Sequence, residues 1–259
     1  MGLLDPLPED ERIVLKSPQE IEKMRRSNQI VAEILAEMKT SARPGVTTRE
    51  LDELAETLLA KRKAHSAFKG YNGYPAALCT SVNEEVVHGI PSNRVLREGD
   101  ILSLDFGAIY DGFYGDAAIT LPIGSISTEA EQLLRVTEEA LYLAIEQVRP
   151  ENRLMDISAA IQRHVESHGF SVVRDFVGHG IGKHLHEKPQ VPNFGIPGRG
   201  VRLKPGMTLA IEPMINAGGY EVMIREDGWT AVTKDRSLSA HFEHSVAVTE
   251  NGPDILSKL

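Results

Sequence analysis

The sequence predicts an α+β protein built from a duplicated unit, two helices followed by an antiparallel sheet, with the site between the halves. Three observations carry this. Helical apolar periodicity gives way to β-branched, turn-punctuated runs in the order helix, helix, strands, and that order then recurs. Landmarks recur with it: Arg43-Pro44 returns as Arg149-Pro150, and Glu50-Leu51 as Asp156-Ile157, 106 residues on. Leu96-Arg97-Glu98-Gly99 with Leu104-Asp105 returns as Leu203-Lys204-Pro205-Gly206 with Ile211-Glu212, 107 residues on. Residues 1–259 therefore read as one domain, with an N-terminal tail over 1–16 and halves of about 17–124 and 125–250. The duplication sets Asp105 against Glu212 across a pseudo-twofold axis.

Each element has its own signal. Ser17-Pro18-Gln19-Glu20 is a capping box with proline at the first helical position, and Ile21, Met24, Val31, Ile34, Leu35 and Met38 follow at helical spacing. Arg43-Pro44-Gly45 ends that helix. Thr47 to Glu50 offers a second box, and Leu51, Leu54 and Leu58 carry a helix to about Lys63. A loop rich in glycine and tyrosine spans Gly70 to Pro75. From Ala77 to Leu121 the pattern is strands and hairpins, turning at Asp111-Gly112. Thr128 to Glu131 reads as the cap of a third helix through Leu133, Leu141 and Val148, and a fourth runs from about Met155 to His168. A second strand-rich stretch fills Phe170 to Thr249.

Composition excludes several classes. A hydrophobic fraction of 41%, a charged fraction of 25% and 22 glycines are those of an ordinary globular chain, not a coiled coil or a disordered one. The net charge of −9 opposes binding to phosphate backbones or acidic lipid. Cys79 is the lone cysteine, which precludes an internal disulfide and fits a reducing, cytoplasmic compartment. Asp5, Glu9, Asp10 and Glu11 precede any long apolar run, so a secretory signal is not expected, and no apolar stretch is long enough to span a bilayer.

The chemistry lies in carboxylates and histidines. A two-residue turn at Asp111-Gly112 pairs Gly107 with Asp116 and Asp105 with Ala118, making Asp105 and Asp116 diagonal neighbours on one face, about 7–8 Å apart. Gly107, opposite Asp116, is expected to leave that space open. A lone acid on a hairpin is usually solvated, but Asp105 interrupts an apolar strand, as do Glu212 in Leu209–Met214 and Glu243 in Ala240–Val248. Few basic residues stand nearby, so a pair of divalent metals is the economical source of positive charge. Gly178-His179-Gly180-Ile181-Gly182-Lys183-His184-Leu185-His186 adds imidazoles; taken singly, such a histidine is more often structural. The segment lacks phosphate-loop spacing, and His186-Glu187-Lys188-Pro189 is not a helical zinc motif. Hard carboxylates with one imidazole favour Mn, Fe(II), Co or Zn in an open, paired site, where a bridging water titrates near neutrality.

These residues resemble the methionine aminopeptidases, type I bacterial form, of the pita-bread metallopeptidase family. The carriers are Gly70-Tyr71-Asn72-Gly73-Tyr74-Pro75, Asn83 through Pro91, Asp105 through Asp116, Gly178 through Gly182, Ile211-Glu212-Pro213-Met214 and the stretch ending at Glu243-His244. The resemblance spans Ile21 to Thr249. It implies that Asp105, Asp116, His179, Glu212 and Glu243 ligate two metals, with Asp116 and Glu243 bridging. It implies removal of the initiator methionine from nascent chains with a small second residue, by attack of a metal-bound hydroxide on the scissile carbonyl. In the mechanism so implied, His186 would hydrogen-bond the developing tetrahedral centre, His88 would contact the leaving amide, and Glu212 would pass the water's proton to the leaving amine. Tyr71, Tyr74, Cys79, Leu185 and Trp229 are implied to line the methionine pocket; Leu185 departs from the aromatic some members carry. A monovalent-cation site is implied near Asn83, Glu85 and Ser239.

Two other readings use the same fold: an X-Pro aminopeptidase or prolidase, differing in the pocket, and a non-catalytic peptide-binding protein, which would lack ligands. The N-terminal stretch leaves no room for a zinc-finger extension, and Met1-Gly2 is itself a sequence such an enzyme accepts, so mature protein is expected to begin at Gly2. Lys61-Arg62-Lys63 fits a solvated helix face at least as well as a ribosome contact. No nucleic-acid or membrane partner is expected, and monomer is the default state.

Overall fold

The computed structural model describes residues 12–259. The expectations placed on Met1, Gly2 and the acidic start fall outside those residues. Helices α1 (Pro18–Ser41) and α2 (Thr48–Lys61) open the described chain, each closed at its N-terminus by the capping box expected from the sequence. In both, the serine or threonine hydroxyl accepts the third residue's N–H while that residue's glutamate accepts the cap's N–H.

Strands β1 (His65–Ser66), β2 (Leu78–Val82), β3 (Glu85–Val87), β4 (Ile101–Tyr110) and β5 (Phe113–Pro122) complete the first half. The second half has α3 (Thr128–Glu146), α4 (Leu154–Ser167), then β6 (Ser171–Val172), β7 (Val177–Gly180), β8 (Glu187–Pro192), β9 (Thr208–Ile211) and β10 (Met214–Asn216). It continues through β11 (Val222–Ile224), β12 (Ala231–Thr233), β13 (Ser239–His241), β14 (Glu243–Thr249) and β15 (Gly252–Ile255). One long antiparallel sheet runs β1-β4-β5-β14-β9-β7-β8, with β2 also on β4 and β15 on β14. The sequence repeat is visible in that order: β5 and β14 lie at the centre, and β4 and β9 flank them. An isolated bridge between Thr47 and Val95 recurs between Arg153 and Arg202, at the spacing of the repeat.

Each helix pair covers its own part of the sheet. Ile30, Ile34, Met38, Leu51 and Leu58 pack with Leu102, Leu104 and Phe106, while Leu133, Ala140, Ile157 and Ile161 pack with Leu209, Ile211 and Val246. A smaller cluster between them gathers Tyr74, Cys79, Phe68 and Leu185. That cluster borders the site.

Two local expectations are corrected. The cap of α3 is Ser127, not Thr128: its hydroxyl accepts the Ala130 N–H at 3.2 Å, and Thr128 is already the first helical residue. The last strand lies beyond Thr249, since β15 carries Pro253 and so gives no strand pattern; it pairs with β14 alone, where a missing N–H is tolerated. No helix among the described residues is long and apolar enough to cross a membrane.

Candidate metal centre and substrate cavity

The β4–β5 hairpin has the register its turn dictates, Tyr110 with Phe113, Gly107 with Asp116 and Asp105 with Ala118. Asp105 and Asp116 both face a cavity of about 330 Å3. Gly107 does not hold that space open, contrary to expectation. A Cβ there would lie 2.8 Å from Ala67 Cβ and 2.8 Å from the Phe68 ring, so its missing side chain makes room for Phe68, which lines the cavity instead.

Strand β14 enters beside β5 with Glu243 opposite Ala118, and β9 delivers Glu212 just past its end. The central pair of strands thus contributes Asp116 and Glu243, and the flanking pair contributes Asp105 and Glu212. His179 comes from β7, squeezed between β8 and β9. A Cβ on Gly178 would meet Ala210 O at 2.4 Å, and one on Gly180 would meet Lys188 O at 2.2 Å, so both glycines are required by the close strand approach. His179 Nδ1 lies 2.9 Å from Gly180 O; a carbonyl only accepts, so Nδ1 carries the proton and Nε2 is left as a ligand atom.

The electrostatics of this cluster are those of a cation site. Asp116, His179 and Glu243 each offer a donor atom within 4.8 Å of the others, and Glu212, His241 and Glu243 form a second such group. Asp105 Oδ1, Asp116 Oδ1 and Glu243 Oε1 are buried with no hydrogen-bond partner. Burial pushes the Asp105 carboxyl up to about 7. Burial and the neighbouring carboxylates push Asp116 and Glu243 well above the usual range. Burial also acts on Glu212, but the neighbouring imidazoles, His241 first and then His179 and His88, outweigh it and hold that carboxyl below its ordinary value. Native proteins seldom leave buried polar atoms unpartnered, and oxygen-rich sets with an imidazole are what divalent ions of this size use. The residues present therefore fit a divalent metal centre shared through Glu243.

Around the acids stand the two further histidines. His186 Nδ1 lies 2.8 Å from the Tyr71 hydroxyl, and its ring meets that of His179 edge-on at 4.4 Å. Burial and His179 pull its pKa to about 4, so it is neutral near pH 7. The adjacent Glu187 is held by a buried ion pair to Lys16 and accepts the His184 N–H, which anchors the segment. His88 sits at a φ of +60°, a sparsely populated conformation for a residue with a side chain, and its ring is edge-on to Phe176 at 5.5 Å. Burial lowers its pKa as well.

Much of the rest of the cavity wall is aromatic or apolar, with Asn72 and Asp175 also on it. Tyr74 and Trp229 meet edge-on at 5.1 Å, and the Tyr74 hydroxyl donates to Gly89 O at 3.0 Å. Cys79, paired in register with Asp105, and Leu185 are buried beside them. Every residue named from the sequence for metal, catalysis or pocket borders this one cavity, as do Phe176, Met214 and Val87, which sequence reasoning missed. The implied monovalent-cation residues lie elsewhere. Ser239 N donates to Asn83 O at 2.9 Å, but Glu85 is taken by the Val82 N–H, Arg94 and Arg225.

The sequence matches the model of Metallopeptidase family M24 over residues 22–250. It is 54% identical to the methionine aminopeptidase of Clostridium perfringens over 245 residues, 95% of this chain and 98% of that one. The crystal structure of methionine aminopeptidase from Thermotoga maritima superposes with a TM-score of 0.94 at 51% identity, covering 96% of this chain and 100% of that chain. A prolidase from Pyrococcus furiosus shares the fold, with a TM-score of 0.77 at 21% identity over 96% of this chain and 67% of its own.

Proposed function

This chain belongs to metallopeptidase family M24, and from that premise we propose a metal-dependent aminopeptidase that removes the N-terminal methionine of polypeptides whose second residue is small and uncharged. One observation carries the reading: buried acids with unpartnered oxygens converge with His179 on a cavity whose opposite wall is apolar.

Two divalent ions held by Asp105, Asp116, His179, Glu212 and Glu243 supply Lewis acidity and acidify water when bound, and the donor set suits Mn, Fe(II), Co or Zn. The chain's own side chains do the remainder. Tyr71, Tyr74, Cys79, Leu185 and Trp229 hold the methionine side chain, for which sulfur–aromatic contacts contribute about 0.3–1.5 kcal/mol each. Neutral His186, with the Tyr71 hydroxyl on Nδ1, turns its Nε2–H to the scissile carbonyl oxygen as charge develops there. His88 contacts the amide of the leaving peptide. Glu212, kept ionised near neutrality, accepts a proton and returns it to the leaving amine.

The finer points belong to the same reading. The enzyme is a single catalytic domain acting as a monomer in the cytoplasm on nascent chains. Arg62 is engaged by Glu33 and Glu37, so a ribosome contact at the basic cluster rests on Lys61 and Lys63. A monovalent ion near Asn83, Glu85 and Ser239 would use backbone oxygens, since their side chains are already paired.

Cleavage of Met-Ala-Ser and Ala-Pro-Ser, followed by mass spectrometry with metal-stripped protein before and after adding Mn or Co, tests this. Free methionine from the first peptide alone, lost on stripping and restored by metal, is expected. Ala-Pro cleavage would move the activity to the proline-specific class, and no cleavage with any metal would leave a peptide-binding protein.

A further inference from the structure

His241 stands beside the acids but is neither among the proposed metal ligands nor given a role toward the substrate. It is 1% exposed, and its Nε2 is buried 3.3 Å from Glu212 Oε2 without meeting hydrogen-bond geometry. The other oxygen of the same carboxylate, Oε1, lies 3.7 Å from His179 Nε2. Glu212 thus spans two imidazoles, one on each oxygen.

The backbone of His241 is held at both its N–H and its C=O. Its N–H donates to Thr120 Oγ1 at 2.9 Å, and Thr120 Oγ1 donates its own hydrogen to His241 O at 2.7 Å. Because that hydrogen is committed, Ser103 is the donor in the 2.8 Å contact between Ser103 Oγ and Thr120 Oγ1. All three residues are buried. Register with β10, Met214 opposite His241, holds the strand from the other side. A ladder from the β4–β5 hairpin, which carries Asp105 and Asp116, therefore ends on the backbone of the residue whose imidazole faces Glu212.

We propose that His241 is a positioning residue: its Nε2–H holds Glu212 Oε2, so that Oε1 stays turned to the metal side beside His179. The inference rests on the metal-centre reading above. A carboxylate ligand bound on one oxygen is free to rotate unless the other oxygen is held, and partners of this kind typically change metal affinity or activity by about 10–100-fold when removed.

The test is titration of metal-stripped protein with Co2+ alone, read by isothermal calorimetry and by the visible d–d absorption of the bound ion. His241→Leu removes the donor, and His241→Gln replaces it with another N–H. The Leu variant is expected to bind Co2+ about 10–100-fold more weakly with an altered spectrum, and the Gln variant to restore both. Wild-type affinity and spectrum in the Leu variant would overturn the proposal, as would a Gln variant as impaired as the Leu one. If the Leu variant does not fold, the Gln variant decides: retained binding supports the role and lost binding contradicts it. Failure of the wild-type protein to bind Co2+ would instead overturn the metal centre itself.

Discussion

Individual side chains set the chemistry, and they do so through burial. His186 at about pKa 4 is neutral near pH 7, so the role proposed for it is hydrogen bonding rather than proton supply. His186→Ala is expected to lower kcat by about 10²–10³-fold while two metals remain bound, checked by steady-state kinetics and elemental analysis of the same sample. The acids make a pH prediction for the metal-free protein. Asp105 at about 7, and Asp116 and Glu243 well raised, hold protons in the folded state that the unfolded chain has released, so they lower stability as pH rises. His186 and His244, both at about 4, act in the opposite sense up to the ordinary histidine pKa of about 6.5. Between about pH 6.5 and 8 the acids act together with His241, whose folded pKa is raised because Glu212 outweighs burial and whose contribution has the same sign, so the unfolding temperature of stripped protein should fall with pH there, and metal should abolish the slope. A flat profile without metal would contradict the burial of these groups. Most of this cluster was legible because an acid inside an apolar strand is expensive. His241 was not, since a histidine two residues before Glu243 is an ordinary strand residue until Glu212 is folded against it. Nor could spacing join Tyr71 to His186, which meet only through tertiary packing.

Secondary-structure elements hold those side chains at fixed separations, and their ends were the most and least legible parts of the chain. The boxes at Ser17 and Thr47 were plain because hydroxyl and glutamate stand three apart. At α3 two adjacent hydroxyl residues compete, and the Thr128–Glu131 spacing favours the wrong one. Ser127→Ala should therefore destabilise the protein by about 1 kcal/mol in chemical denaturation, with Thr128→Ala close to neutral. Equal losses would return the cap to Thr128. Strand β7 gives a sharper test. Gly178→Ala drives a methyl into Ala210 O, and the overpacking is expected to cost about 1–3 kcal/mol and to weaken metal binding through displacement of His179. Unchanged metal affinity in a folded Gly178→Ala protein would show that the strand gap does not position the ligand.

At the scale of the whole molecule, the duplication explains why the site is where it is. Corresponding strands meet at the centre of one sheet, and each half brings acids to the seam, Asp105 and Asp116 from one and Glu212 and Glu243 from the other. Offsets of 106 and 107 residues were readable from the sequence because turn and cap residues recur, whereas the strand order was not, since β14 pairs with β5 across more than a hundred residues. Under the proposed function, divalent ions would complete the four carboxylates and one imidazole gathered at that seam, and the cavity beside them would select the residue presented. The measurement that bears most directly on this is anomalous diffraction at the cobalt edge from crystals grown with Co2+. Two peaks among Asp105, Asp116, His179, Glu212 and Glu243 are predicted, sharing Glu243. Absence of density there in crystals that hold cobalt elsewhere would contradict the account.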